Sequence, residues 1–174
     1  LHYVVKSGNI EIVKYLSKIC PETITKPDNK KMTPFHVAVF EGFADMIPFL
    51  VEHTLDPEVW LTRNCDGLTP IHDIRNIEIL RVAIAKKVDF SVPSNVTKDT
   101  LLHLIVKEKI LPSESDYGDK QAKKLELIQH LTSIHSLKNI EGNTALKIAE
   151  QNLESFDRMY PSGIGAKNRK KNSK

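Results

Sequence analysis

Apolar and charged residues alternate along this chain in short segments of helical period, and the segments repeat. Ile10-Glu11-Ile12-Val13-Lys14-Tyr15-Leu16 is echoed by Ala44-Asp45-Met46-Ile47-Pro48-Phe49-Leu50, by Ile77-Glu78-Ile79-Leu80 and by Leu125-Glu126-Leu127-Ile128-Gln129-His130-Leu131. Ahead of each segment stands a histidine, recurring as His2, His36, His72 and His103 at intervals of 34, 36 and 31 residues. A fifth round opens at Gly142-Asn143-Thr144-Ala145-Leu146-Lys147-Ile148-Ala149. Each period predicts two short amphipathic helices, so four units and a partial fifth fill the body of the chain. Words such as "TP", an apolar residue and His, or "NIEI", recur because a structural unit recurs and buries its apolar faces against its neighbours.

The start signals agree with this division. Thr33, Thr69, Thr100 and Thr144 stand where a hydroxyl can cap the first helix of a unit, and Pro34 and Pro70 follow at the first helical position, where a missing N–H costs nothing. Glu11, Asp45, Glu78 and Glu126 place an acid in the predicted first turn of the second helix, which suits the positive end of the helix dipole. The pattern resembles the ankyrin repeat, whose signature is T-P-L-H-x-A; "MTPFHVAVFEG" at Met32 to Gly42 and "LHYVVKSGNIEIVKYL" at Leu1 to Leu16 carry the likeness most specifically. The resemblance covers roughly residues 1 to 160. It implies an all-α helix-turn-helix solenoid of about four to five irregular repeats, each linked to the next by a short hairpin finger. The units are placed at approximately 1–27, 28–62, 63–94, 95–138 and 139–160, with 161–174 as a basic tail expected to be disordered.

Several departures from the pattern carry expectations of their own. The third unit runs from His72 to Asn76 where the first runs from His2 to Asn9, so nearly one helical turn is missing. The fourth unit errs the other way, with an insertion near Lys109 to Ala122. Both changes fall on the same edge of adjacent units, so the insertion is expected to fold over the gap, with Ile110 and Leu111 as its apolar plug, or else to form a solvent loop. Pro48 sits inside a predicted second helix, where loss of a backbone hydrogen bond costs roughly 3 kcal/mol unless the helix kinks. The finger position occupied by Gly67 and Gly142 is Lys31 and Lys98 in two other units, so those tips must take a different turn or hold strain.

Composition narrows the function. The chain has 174 residues, 40% of them hydrophobic, enough for one compact array. No run approaches the roughly 18 apolar residues of a membrane span, and no signal-like segment opens the chain. It opens on Leu rather than Met, so some of the protein is expected to be absent. Cys20 and Cys65 have no CxxC partner, which argues against a disulfide framework or a zinc cluster and favours a reducing compartment. The net charge of +3 is uneven: the tail holds Lys167, Arg169, Lys170, Lys171 and Lys174 and no acid, leaving 20 basic against 22 acidic residues elsewhere.

Candidate chemistry is sparse. The four register histidines would sit one layer apart in a stack, securing loops rather than converging on a metal. His130 and His135 do not share a helical face, and His72-Asp73 or Ser115-Asp116 supply hydrolase residue types without any hydrolase motif around them. Catalytic residues, metal ligands and cofactors are therefore not expected, nor is a small-molecule substrate. Families of this resemblance bind other proteins through a concave surface of finger tips and first helices. Mapped onto this chain, that surface nominates Lys30, Lys31, Phe40, Arg63 and Asn64, with Trp60 either as a further anchor or packed beneath a finger. The expected partner is a protein of unknown identity and the chain itself a monomer, with nucleic acid or anionic lipid reachable only through the tail. The expected location is the cytoplasm, with nuclear entry open to the Arg169-Lys170-Lys171 run. The main alternative is the recognition arm of a larger enzyme or membrane protein whose working domain lies outside this chain; a scaffold for self-assembly is a third.

Overall fold

A computed structural model describes residues 1–54, 58–108, 117–131 and 136–159. Among the described residues eight helices follow one another: α1 (His2–Lys6), α2 (Ile10–Ile19), α3 (Pro34–Glu41), α4 (Met46–His53), α5 (Ile77–Ala85), α6 (Leu101–Lys107), α7 (Tyr117–His130) and α8 (Ala145–Met159). Two 3-10 turns join them, at Pro21–Ile24 and Pro70–Asp73. α1, α3, the Pro70–Asp73 turn, α6 and α8 pack side by side as one layer of first helices. In the second layer α2 meets α4 through the Pro21–Ile24 turn, α4 meets α5, and α5 meets α7. A single apolar core lies between the layers and runs from Val5 and Val13 through Phe35, Leu50, Ile71 and Leu80 to Leu101 and Leu131. This is the expected all-α solenoid, and among the described residues the only strand-like pairing is a lone bridge between Lys138 and Thr144.

Local signals explain where the helices start and stop. Asn9 caps α2, its Oδ1 accepting from the Ile12 N–H at 3.1 Å, and Asn76 caps α5 by accepting from the Glu78 N–H at 2.8 Å. α3 ends at Gly42, whose φ of 79° is left-handed and whose N–H returns to the Ala38 and Val39 carbonyls. Pro48 does not kink a helix interior as the pattern suggested. α4 begins at Met46, so Pro48 lies in its first turn, where the N–H has no intrahelical acceptor to lose. Glu126 also differs from expectation: α7 begins at Tyr117, so the acid in its first turn is Asp119 and Glu126 lies well inside the helix. There it takes a guanidinium from Arg81 of α5 at 3.3 Å, while the same Arg81 holds Glu78 at 2.7 Å.

The irregular units are accommodated differently. In the third, the first helix is reduced to the Pro70–Asp73 turn, and the buried Ile74 side chain closes the core where the helix stops. In the fourth, the inserted residues from Tyr117 onward lengthen α7 rather than forming a loop. The proposed plug, Ile110 and Leu111, lies outside the described residues, as do Ser115-Asp116, His135 and the tail.

The fingers share one construction. The Asp28 N–H bonds the Met32 carbonyl at 2.8 Å, Asn64 bonds Leu68 at 2.9 Å, and Asn139 bonds Asn143 at 3.0 Å. In each, the leading Asp or Asn side chain also accepts two backbone N–H groups of its own turn. The residue two before each threonine takes positive φ: 57° at Lys31, 69° at Gly67, 56° at Lys98 and 72° at Gly142. The lysine fingers therefore adopt the same left-handed turn as the glycine fingers, and the Cβ is tolerated under strain. Lys31→Gly or Lys98→Gly should each stabilise the fold by about 0.5–1 kcal/mol. Gly67→Ala should destabilise it, because the added Cβ would meet Asn95 Cβ at 2.5 Å. Denaturant midpoints check both signs, and a lower midpoint for Lys31→Gly would refute the strain.

Candidate functional site

The register histidines are architectural, and their chemistry shows why. In α3, His36 Nδ1 accepts the Thr33 backbone N–H at 3.1 Å and lies 2.9 Å from Thr33 Oγ1. The same arrangement joins Thr69 to His72 at 3.1 and 2.8 Å, and Thr100 to His103 at 3.2 and 2.8 Å. An Nδ1 that accepts an amide proton carries none, so the ring proton sits on Nε2 and is available to a carbonyl of the following unit. His2 Nε2 reaches the Met32 carbonyl at 2.7 Å and His103 Nε2 the Asn143 carbonyl at 3.1 Å, each the residue before the next unit's capping threonine. His36 and His72 point the same way, toward the carbonyls of Leu68 and Asp99, but their buried Nε2 atoms do not close to hydrogen-bond distance. Burial pushes the His36 imidazole down to about 4 and lowers that of His72. Among the described residues, no three His, Cys, Asp or Glu side chains gather as metal ligands would.

Of the six nominated partner contacts, the structure turns three over to the framework. Trp60 is 3% exposed and lies edge-on to Phe35 with ring centroids 4.7 Å apart, so it packs beneath the second finger and is not a surface anchor. Arg63 is committed on both sides: Nη1 donates to the Gly67 carbonyl of its own finger at 2.6 Å and Nη2 to the Pro93 carbonyl ahead of the next at 3.0 Å. Asn64 spends its Oδ1 on the N–H groups of Asp66 and Leu68. The fingers are also tied to one another. The Cys65 N–H donates to the Lys30 carbonyl at 2.9 Å, Asn95 N–H to Gly67 at 3.2 Å, and Ile140 N–H to Thr97 at 2.9 Å. Lys30 and Lys31 keep exposed side chains at the first tip, and Phe40 is 62% exposed.

Phe40 belongs to a face that repeats from unit to unit. On α3 the positions left uncovered are Val37, Phe40 and Glu41; on α1 they are Tyr3, Lys6 and Ser7; on α6 they are Leu104, Lys107 and Glu108. These are one helical stripe, at i, i+3 and i+4, seen in three layers. Tyr3 is 91% exposed. Tyr3 and Lys6 carry no sequence signal beyond the register itself, which is how they could have been found: each stands in line with Val37 or Phe40. At the far end of this face Lys107 is held by the buried Asp99 at 2.8 Å, and Asp99 also accepts from Asn139 at 3.0 Å.

The stack of helix pairs uses its polar side chains to fasten turns and leaves an open stripe of aromatic and charged residues on its first helices. The family model for ankyrin repeats, in three copies, matches residues 1–94, and this chain belongs to that family. Units four and five lie beyond the matched stretch yet keep its geometry, through the Thr100–His103 box and the Ile140-to-Thr97 finger bond. Among curated proteins, it is 35% identical to the BTB/POZ domain and ankyrin repeat-containing protein NPR5 of Oryza sativa subsp. japonica. It is 33% identical to Regulatory protein NPR5 of Arabidopsis thaliana, and 32% to the BTB/POZ domain and ankyrin repeat-containing protein NBCL of Lupinus angustifolius. Each match runs over 78 residues, 44% of this chain and 15% of the relative. Ankyrin repeats as a class mediate protein–protein interaction.

Two outcomes follow from the framework roles. With the folded pKa of His36 depressed from 6.5 to about 4, the unfolded chain takes up the proton first on acidification. Stability should therefore be level above about pH 6.5 and fall as the pH drops toward 4, by about 3 kcal/mol at most from this residue. Thermal melts between pH 7.5 and 4.5 read this loss, and His36→Gln should flatten it. Arg63→Ala should lower stability by about 1 kcal/mol, because it removes the side-chain link between the Gly67 and Pro93 carbonyls of successive fingers; an unchanged unfolding midpoint would return Arg63 to the surface.

Proposed function

We propose that this chain is a non-catalytic interaction module that binds a partner protein through the open face of its first helices. The observation that carries this is the pairing of Tyr3 and Phe40, two large aromatic side chains exposed on helices whose remaining sides are packed into the core. Rigidly held aromatic side chains make contact area at low entropic cost, which is why they dominate interface energetics. Lys30 and Lys31 border the same face at the first finger tip, in the concave position that the repeat architecture provides, and add charge that steers encounter. A reducing compartment suits the free cysteines Cys20 and Cys65, and the basic tail could add nuclear import without taking part in this surface.

A second reading, a recognition arm within a larger protein, is favoured by the relatives, in which the matched ankyrin segment is a small share of the length. A longer transcript encoding a further domain in the same frame would support it. Both readings assign the partner to the same face.

Affinity capture with the whole chain and with a version ending at residue 160 separates partners of the repeat body from ligands of the tail. For a partner of the body, Phe40→Ala and the double change Lys30→Glu, Lys31→Glu should each weaken binding about tenfold, equivalent to roughly 1.4 kcal/mol. Neither should lower the unfolding midpoint. Capture that survives both changes would place the binding surface elsewhere.

A further inference from the structure

The open face is interrupted at the third unit. There the first helix stops at Asp73, so the unit has no helical counterpart of Phe40 and Glu41 on α3 or of Lys107 and Glu108 on α6. Asp73 is the open-face position the unit retains. It stands in the column of Tyr3, Val37 and Leu104, where every other unit places an apolar or aromatic side chain.

Asp73 is half-buried, and its carboxylate forms no hydrogen bond or salt bridge with any described residue. Burial raises its carboxyl above the usual range, against the pull of Arg75. Yet Arg75 turns its donors away: Nη1 bonds the carbonyls of His72 and Ile74 at 3.0 and 2.9 Å, and Nε lies 3.5 Å from Glu108 Oε2. Lysines of the following unit are engaged with other groups. Lys107 is paired with Asp99, and the Lys124 ammonium bonds the carbonyls of Val106 and Glu108. A carboxylate partly withdrawn from water with no donor of its own weakens the fold, and an incoming cation would relieve that cost.

We infer that Asp73 is the charged specificity determinant of the binding face, taking a Lys or Arg side chain from an extended partner segment whose flanking apolar residues rest on Val37 and Phe40 to one side and Leu104 to the other. This rests on the open face being the binding surface. Packed helices lie about 8–10 Å apart, and an extended strand covers that distance in about three residues. The recognised segment therefore has the form apolar-x-x-(Lys or Arg)-x-x-apolar, running across the layers.

The test is a displayed library of random dodecapeptides selected on the intact chain, with Phe40→Ala and Asp73→Asn as counter-targets. Peptides that depend on Phe40 should be enriched in Lys or Arg, with apolar residues three positions to either side. They should lose at least tenfold in affinity on Asp73→Asn, and peptides whose cation is changed to Glu should recover affinity on Asp73→Lys. Asp73→Asn should melt at or above the parent, because a half-buried unpaired charge has been removed; Asp73→Ser gives the same comparison should the amide misfold. Phe40-dependent peptides without a favoured cation, or binding Asp73→Asn equally well, would overturn the assignment of Asp73 while leaving the face intact. A selection in which no binder depends on Phe40 or Lys30 would overturn the face itself, and this proposal with it.

Discussion

A buried imidazole that must accept at one nitrogen and donate from the other is the interaction on which this array depends. Nδ1 takes the amide of the threonine three residues earlier, which pins the start of the first helix. That choice leaves the proton on Nε2, aimed at the backbone of the next finger, and at His2 and His103 the bond is closed. At His103 one side chain thus ties together the cap of its own helix and the position of the following unit. The requirement is for neutrality as much as for geometry, because a second proton on Nδ1 would oppose the amide it now accepts.

The same constraint explains how the stack tolerates its own irregularity. The third unit keeps Thr69 and His72 and loses the helix that follows them, and the layer on either side remains in contact with what is left. Ile74 fills core space at the point of truncation, Asn76 Nδ2 reaches back to the Gly42 carbonyl at 3.0 Å, and Arg75 extends to Glu108. In the fourth unit the extra residues from Tyr117 add to α7, which the Arg81–Glu126 pair links to α5. Stability in such an array is a sum over units and their interfaces, so a defect in one unit is paid for locally by its neighbours.

Framework and surface side chains of this array share the same residue types. Lys31 and Arg63 look equivalent as exposed-type cations on adjacent fingers. Lys31 merely endures a left-handed backbone, whereas Arg63 bridges the Gly67 carbonyl of its own finger and the Pro93 carbonyl ahead of the next. Asn64 and Asp28 occupy the same turn position and do the same work with their side-chain oxygens, so the charge of Asp28 is incidental to its role. Trp60 follows the register of Ile24, the buried residue of the earlier turn, and an aromatic at that position goes under the finger rather than into the groove.

Period and local chemistry were enough to settle the class of this protein: the spacing of the histidines, the threonine caps and the amphipathic segments each specify one unit, and a unit cannot bury its apolar face except against a copy of itself. Helix starts were legible where a capping threonine announced them, at Thr33, Thr69 and Thr100. They were not legible at Pro48 or Glu126, where the tertiary frame shifted the start of the helix by a few residues and changed what the same side chain could do. Only the packed structure decided which polar residues remain free. Hydrogen bonds between fingers thirty or more residues apart consume Arg63, and the loss of one helix leaves Asp73 with Arg75 as its neighbouring cation, whose donors are engaged elsewhere. Those pairings are long-range, and no local pattern in the chain encodes them.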